Sequence, residues 1–494
     1  MSTLRHLFLT LPAILTLCLL CACSQDEDFS TDASLTLSFE ADTVRFDTVF
    51  STIGSSTQRV KVFNRNDKAL RISHAYLASG GTSGFRVNID GQSGTSLTDI
   101  DIWHEDSIFV LIDINVDPQD SNSPVLITDS LIFTLQSGIS QQIILQAYGQ
   151  DIIILSAQTL TEDTYLSADK PYLIYDSLIV DSAALLYLPA GTTLYFHSQA
   201  YLGVYGQIIC EGTLDAPITL RGDRTDKMFT YLPYDRLDAQ WGGVTLYPGS
   251  GDNYFAYTDI HGGNWGIDCP LSTFAGTKLA MLNSEIHNVS GNGLSLVYCA
   301  AEFANCQFSN AGGHCVNLIG GYYEFTHCTL AQCYPWDSDY GNALFFTNVQ
   351  NDTIYPLEQA YFYNCLITGQ AADAIQGNAL EDSDADFNAA FTNCLINIEI
   401  TGDEGEYVEQ MFTDCFNEYE LFPTSSYDES DAVYGTANFR TIDTDTYSYD
   451  FRLDSLSNAR GIGHMAYAVL YPTDKDGNER PKQGADAGCY QFCE

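Results

Sequence analysis

Phe303-Ala304-Asn305-Cys306, Phe325-Thr326-His327-Cys328, Phe362-Tyr363-Asn364-Cys365, Phe391-Thr392-Asn393-Cys394 and Phe412-Thr413-Asp414-Cys415 are five versions of one four-residue phrase. Two looser copies precede them, Phe255-Ala256-Tyr257-Thr258 and Met281-Leu282-Asn283-Ser284. The interval is 22 residues from Ser284 to Cys306 and from Cys306 to Cys328, and 21 from Cys394 to Cys415. The longer intervals, 258 to 284, 328 to 365 and 365 to 394, read as the same coil with loops inserted. A short-strand repeat of about 22 residues is the signature of a parallel β-helix. In this phrase the Phe ends one strand facing inward, and the third residue turns a corner. The small Cys, Ser or Thr then opens the next strand, also inward. Asn, Asp and His tolerate the left-handed backbone a sharp corner needs, and stacked Asn amides can bond from coil to coil. An apolar residue two positions on (Ile286, Phe308, Leu330, Ile367, Ile396) continues the inward face. Each buried Phe contributes roughly 1.5 to 3 kcal/mol, so the ladder accounts for stability before chemistry.

Outward from the ladder, 64 acidic residues face 20 basic ones, a net charge of −44. Such a surface repels nucleic acid and anionic headgroups and attracts divalent cations, so no nucleic-acid partner is expected. Aromatic content, with 31 Tyr, suits a β-rich protein that contacts carbohydrate. Five of the 15 Cys occupy the ladder position. Neighbours in a parallel stack stand about 4.8 Å apart, wider than the Cβ separation a disulfide prefers, so free buried thiols are expected there. Cys489 and Cys493 form the one close terminal pair, and a bridge between them is possible in sequence terms.

The chain opens on Arg5 and His6, then an apolar run from Leu7 to Leu20 that is short for a membrane span. Leu20-Cys21-Ala22-Cys23 resembles a bacterial lipobox, which implies a lipoprotein signal peptide over residues 1–22 and lipidation of Cys23. An ordinary secretory signal is the alternative. Ser24-Gln25-Asp26-Glu27-Asp28 is similar to the export tag of Bacteroidetes surface lipoproteins, and residues 23–32 read as a tether. Over 33–150, strands alternate with turn signals in number and spacing that fit an immunoglobulin-like β-sandwich. Residues 151–494 read as the β-helix, entered through short Gly-broken strands and Gln240-Trp241-Gly242-Gly243-Val244. The closing segment, with Asp474 to Arg480 and Asp486 to Tyr490, reads as a cap over the open end of the coil. Phe46 to Phe50, Val60 to Asn64, Ile112 to Pro118, the Gln-Trp-Gly-Gly strand and Gly320 to Cys328 together resemble a family of Bacteroidetes surface lipoproteins. The resemblance covers nearly the whole mature chain. It implies a sandwich followed by a pectate-lyase-like right-handed β-helix, and no established activity.

Enzymes on this scaffold carry their groups on an outward sheet face, so the outward positions are where chemistry is expected. After the corner, His261 and His287 are expected to stack, followed by Ser309. Two such imidazoles lack a carboxylate third ligand in this reading. The next strand's outward series reads Asp268, Ser295, Val316, Phe345, Gln376, with no carboxylate pair for two-acid glycoside hydrolysis. Asn292, His314, Asn342 and Asp373 line the start of that strand. Gly313-His314-Cys315 is similar to the Gly-His-Gly of polygalacturonases, but their Asp-Asp and Arg-x-Lys elements are absent, so His314 competes between catalytic base and corner residue. Between Trp241 and Phe439 there is one Lys, Lys278, and no Arg, which disfavours a uronate lyase that stabilises its enolate with side-chain cations.

Two inserted loops remain. Tyr334, Trp336 and Tyr340 with Asp337 and Asp339 mix aromatic faces with carboxylates and suit sugar stacking. Asp382, Asp384 and Asp386 resemble the start of a calcium loop, though Phe387 stands where its Gly belongs and Asn393 where its final Glu belongs. Both loops have a plainer reading as solvated insertions. The expectation is an outer-membrane, lipid-anchored surface protein that binds a polysaccharide or a surface protein. The alternative is a carbohydrate-active enzyme, hydrolase before lyase, using Asp337, Asp339, Asp373 or His314; calcium is the one cofactor expected. A third is an adhesive spacer without a discrete site.

Overall fold

The computed structural model describes residues 28–371, 373–380, 385–400, 409–421 and 434–493. Two compact units result, Met1–Gln150 and Asp151–Glu494. The signal segment, Cys23 and most of the tether lie outside the described residues, as do Asp382 and Asp384.

In the first unit, two five-stranded sheets enclose one hydrophobic core. Strict alternation along Val125–Leu135 sends Leu131, Phe133 and Leu135 inward, and Ile143, Leu145 and Ala147 do the same from Ser140–Gln150. Pairing is antiparallel except between Ser140–Gln150 and Thr43–Phe50, which run parallel.

The second unit winds three strand rows per coil. The Phe row runs in a ten-stranded parallel sheet that includes Asn253–Ala256, Thr277–Leu282, Ala300–Ala304, Gly321–Thr326, Leu357–Tyr363 and Phe387–Thr392. The next row, here the groove row, holds Thr258–His261, Glu285–Val289, Gln307–Ala311, Thr329–Gln332 and Leu366–Gly369. A third row holds Ile267–Cys269, Leu294–Val297, Val316–Ile319, Leu344–Thr347 and Ile375–Asn378. Strands of one row pair in parallel from coil to coil, which defines a parallel β-helix.

The repeat phrase behaves as its residue types dictate. Phe255, Met281, Phe303, Phe325, Phe362, Phe391 and Phe412 fall in one register. Ring centroids along Phe303, Phe325, Phe362, Phe391 and Phe412 lie 4.4 to 4.9 Å apart, the inter-strand spacing itself. All the corner residues are left-handed, with φ of 44° at Tyr257, 50° at Asn283, 51° at Asn305, His327 and Asn364, 53° at Asn393 and 52° at Asp414. Asn305 Nδ2 donates to Asn283 Oδ1 at 3.0 Å, and Asn364 Nδ2 lies 3.0 Å from His327 Nε2. A second left-handed column follows at Asn288 and Asn310, φ 52° and 53°, with its own amide bond of 3.1 Å. Cys306, Cys328, Cys365 and Cys394 are free and buried, and their Sγ–H groups reach backbone carbonyls.

Three expectations need correction. Asn317, not Val316, aligns with Ser295 and Phe345; Val316 points into the core, one residue out of the series read from sequence. Cys489 and Cys493 are unbridged, because Cys489 is buried against Thr329 while Cys493 is exposed. Among the described residues, the closing segment runs along the flank of the coil as a strap rather than over its end. Thr473 O accepts from Asn305 Nδ2, His464 O from Asn364 Nδ2 and Ile462 O from Asn393 Nδ2, so one chain segment spans the corners of several coils. Ala331, Leu366 and Leu395, outward on the groove row, are thereby buried with Phe439, Phe451, Leu453, Cys489 and Tyr490. The apolar character of those outward positions is the physical reason: they require a cover.

Candidate functional site

Where the strap ends, the groove row's outer face becomes the floor of a groove of about 480 Å³. Period-2 alternation presents two columns there. The first is Asp259, Glu285, Gln307; the second is His261, His287, Ser309. The two imidazoles stack, with centroids 4.8 Å apart and planes 19° from parallel. Asp259, two residues before His261 and therefore on the same face, supplies the carboxylate that the sequence reading did not find. Its Oδ1 lies 2.8 Å from His261 Nδ1 and 3.1 Å from His287 Nε2. Asp235 Oδ1 stands 3.0 Å from the other nitrogen of His261 and pairs with the Arg221 guanidinium.

The Gln240-Trp241 pair fixes this arrangement. Gln240 Nε2 donates to the carbonyls of Tyr234 and Leu237, clasping the turn that carries Asp235. Trp241 is fully buried against Phe196 and donates from Nε1 to His261 O at 2.8 Å. Burial opposes the charged form of His261, yet Asp259 and Asp235 outweigh it and hold the imidazolium, raising its pKa to about 9. The hydrogen bond from His261 takes Asp235 down to about 2. Burial disfavours the Asp259 carboxylate, but the two imidazoles overcome this and hold it well below the usual range.

The groove walls come from far along the chain: Arg236 on the Asp235 turn, Tyr447 to Arg452 on the antiparallel pair Phe439–Asp443/Ser448–Leu453, and Lys475, Asp476 and Tyr490 on the strap. Lys475 pairs with Glu285 at 3.1 Å, and Arg452 with Asp450 at 2.8 Å. Arg236 donates to Thr446 O, tying the two walls. The shortage of cations between Trp241 and Phe439 is thus made good by residues outside that span. Lys278 itself is fully buried and its ammonium caps the carbonyls of Tyr247, Pro248 and Ser250, a structural role.

Tyr447 also lines a second hollow of about 500 Å³, shared with Tyr334, Trp336, Asp337 and Tyr340. The Trp336 ring stacks on Tyr447 at 4.3 Å, and the buried Tyr334 hydroxyl donates to Asp238. Asp339 and Asp373 are exposed and line neither hollow. His314 belongs to a corner column. Its backbone N–H donates to Asn292 Oδ1, its Nδ1 accepts from Asn342 N, and Asn342 Nδ2 donates to Asp373 O. Burial against Phe345 pushes the His314 pKa down. Asp386 is exposed, and its carbonyl accepts from Leu357 N. Of the residues singled out from sequence, the structure therefore gathers Tyr334, Trp336, Asp337 and Tyr340 in one hollow, and leaves His314, Asp339, Asp373 and Asp386 elsewhere. Asp259 and Glu285 were legible from alternation; Asp235, Arg221 and the strap residues carry no local signal.

No protein family and no curated protein matches the sequence. Among solved structures, the catalytic domain of a GH87 alpha-1,3-glucanase in complex with nigerose aligns over 74% of this chain and 88% of its own, at 10% identity and a TM-score of 0.25. The periplasmic alginate epimerase AlgG aligns over 50% of this chain and 70% of its own, at 10% identity and a TM-score of 0.22. A family 123 glycoside hydrolase from Clostridium perfringens aligns over 27% of this chain and only 31% of its own, at 8% identity and a TM-score of 0.19. At such low scores, the assignment of a parallel β-helix rests on this chain's own strand pairing.

Proposed function

We propose that the second unit, read as a right-handed β-helix of the pectate-lyase kind, is a carbohydrate-active enzyme that takes a polysaccharide along the groove. One observation carries this reading: Asp235, Glu285 and His287 line the floor of a groove that adjoins the Trp336–Tyr447 platform, and Asp259 and His261 are hydrogen-bonded to that floor through His287 and Asp235. A partly buried network of charges, with His261 at its buried end, costs stability that Ser, Thr or Asn at those outward positions would not, and such networks gather at functional sites. Asp235 and Glu285 line the groove and are the proton-transfer candidates, a hydrolytic pair in the first instance. Arg236, Arg452 and Lys475 would accommodate acidic sugars and make elimination chemistry an alternative outcome. The platform supplies the flat apolar face a sugar ring stacks on.

The chain from Ser24 onward, incubated with plant, host and microbial polysaccharides, is assayed for new reducing ends and for unsaturated uronate. Release from one glycan, abolished in Asp235→Asn or Glu285→Gln, supports the enzyme; release unaffected by both substitutions removes the groove from the mechanism. A second reading, glycan binding without turnover, is favoured by the pairing of Asp235, Asp259, Glu285 and Asp450 with cations. Retention without release, lost in Trp336→Ala, would select it.

We further propose that an immunoglobulin-like first unit and a Cys23 lipid hold this groove outside the outer membrane of a Bacteroidetes cell. Labelled fatty acid incorporated by the wild type and not by Cys23→Ala, with protease access on intact cells, tests the anchor and its side.

A further inference from the structure

We propose that Asp259, His261 and His287 form a binding site for a divalent first-row transition ion of the zinc class. Their ligand atoms lie within 4.8 Å of one another. Ligand bonds of about 2.0 to 2.2 Å place adjacent donors roughly 3 Å apart in a coordination shell. His261 Nδ1 and His287 Nε2 already stand 2.8 and 3.1 Å from Asp259 Oδ1. Two imidazoles and one carboxylate are the donor set of facial sites that leave coordination positions open, and nitrogen donors select zinc, nickel, cobalt or iron over calcium.

The outer shell has the form a metal site requires. A ligating imidazole hands its other N–H to a carboxylate, which fixes the ring and raises its basicity. His261 Nε2 faces Asp235 Oδ1 at 3.0 Å, and Arg221 holds Asp235 in turn. Trp241 anchors the His261 backbone from inside the coil. Exposure grades in the useful direction, with the side chains of His261 5%, His287 22% and Asp259 26% accessible. The buried ligand is positioned by the scaffold, His287 lines the groove, and Asp259 bridges the two imidazoles. A divalent cation also balances the two carboxylates that converge on His261.

This inference does not depend on glycan turnover. The chain from Ser24 onward, stripped with chelator, is titrated with cobalt and followed by visible ligand-field absorption, then with zinc by calorimetry. One ion per chain is expected, with zinc displacing cobalt and calcium failing to. His287→Ala and Asp259→Asn should each weaken affinity more than about 100-fold, and Asp235→Asn about 10- to 100-fold as an outer-shell change. His74→Ala, in the first unit, should leave affinity unchanged. Substoichiometric uptake by the wild type, or wild-type affinity in a folded His287→Ala chain, overturns the proposal. Should the variants fail to fold, X-ray absorption on the zinc-loaded wild type still decides, since scattering without two imidazoles also overturns it. A chain that binds zinc and cleaves no glycan keeps the metal site and loses the enzymatic reading. A chain that cleaves glycan and takes up neither cobalt nor zinc does the reverse.

Discussion

Asn364 does three things at one corner. Its backbone adopts φ 51°, its amide meets His327, and its two amide atoms bond the backbone of His464 at 3.0 and 2.8 Å. Substitution should separate these roles. Asn364→Gly keeps the left-handed backbone and loses the amide bonds; Asn364→Ala loses both and should be less stable than the Gly variant by about 1 kcal/mol in urea unfolding. Equal stability would show that the corner imposes no conformational cost. Glu418 offers a pH test at the same scale. It is fully buried, accepting from Gly435 N, Asn438 Nδ2 and the Thr368 hydroxyl. Burial raises its folded pKa above the ordinary glutamate value of 4.5, although those three donors pull the other way. The unfolded chain therefore releases this proton first, so the contribution of Glu418 to stability falls as pH rises through 4.5 toward the raised value. Glu418→Gln should show a shallower loss of stability than wild type between about pH 4 and pH 7, whatever its absolute stability. Parallel slopes would place the buried charge elsewhere.

The strap is the element whose role differs most from expectation, and thiols report on it. In the native chain Cys493 should react at once with an aromatic disulfide reagent, Cys415 partly, and the buried cysteines, Cys489 included, only on unfolding. Truncation after Asn438 should expose Ala331, Leu366 and Leu395, make Cys333 reactive and increase dye binding to apolar surface; an unreactive Cys333 would mean another cover exists. The coil was legible because its phrase combines three residue types with fixed roles at fixed spacing. The stacking of His261 on His287 was legible for the same reason. Asp259 and Glu285 lie on the same face by the same alternation, two residues after the corners at Tyr257 and Asn283 and two before the imidazoles. Asn288 and Asn310 escaped because no Phe or Cys frames them. Arg452, Lys475 and Tyr490 could not be placed at all: they sit in polar turns without period, and only the folded chain brings them to the groove.

Across the whole molecule, a net charge of −44 means that the folded state repels itself, and salt should relieve that. The thermal midpoint should rise from low ionic strength toward about 0.15 M salt, where the screening length falls to about 8 Å. A midpoint independent of salt would indicate that the acidic residues are neutralised locally, as they are in the groove, where Arg221, Lys475 and Arg452 each pair with a carboxylate. That groove has a floor from Glu285 to Asn310 and a late wall from Tyr447 to Tyr490, so its two halves emerge from the ribosome far apart in time. Coils can stack while the wall is still being synthesised. A chain that stops before Tyr447 therefore carries the floor of this groove without the wall that Tyr447 to Arg452, Lys475, Asp476 and Tyr490 supply.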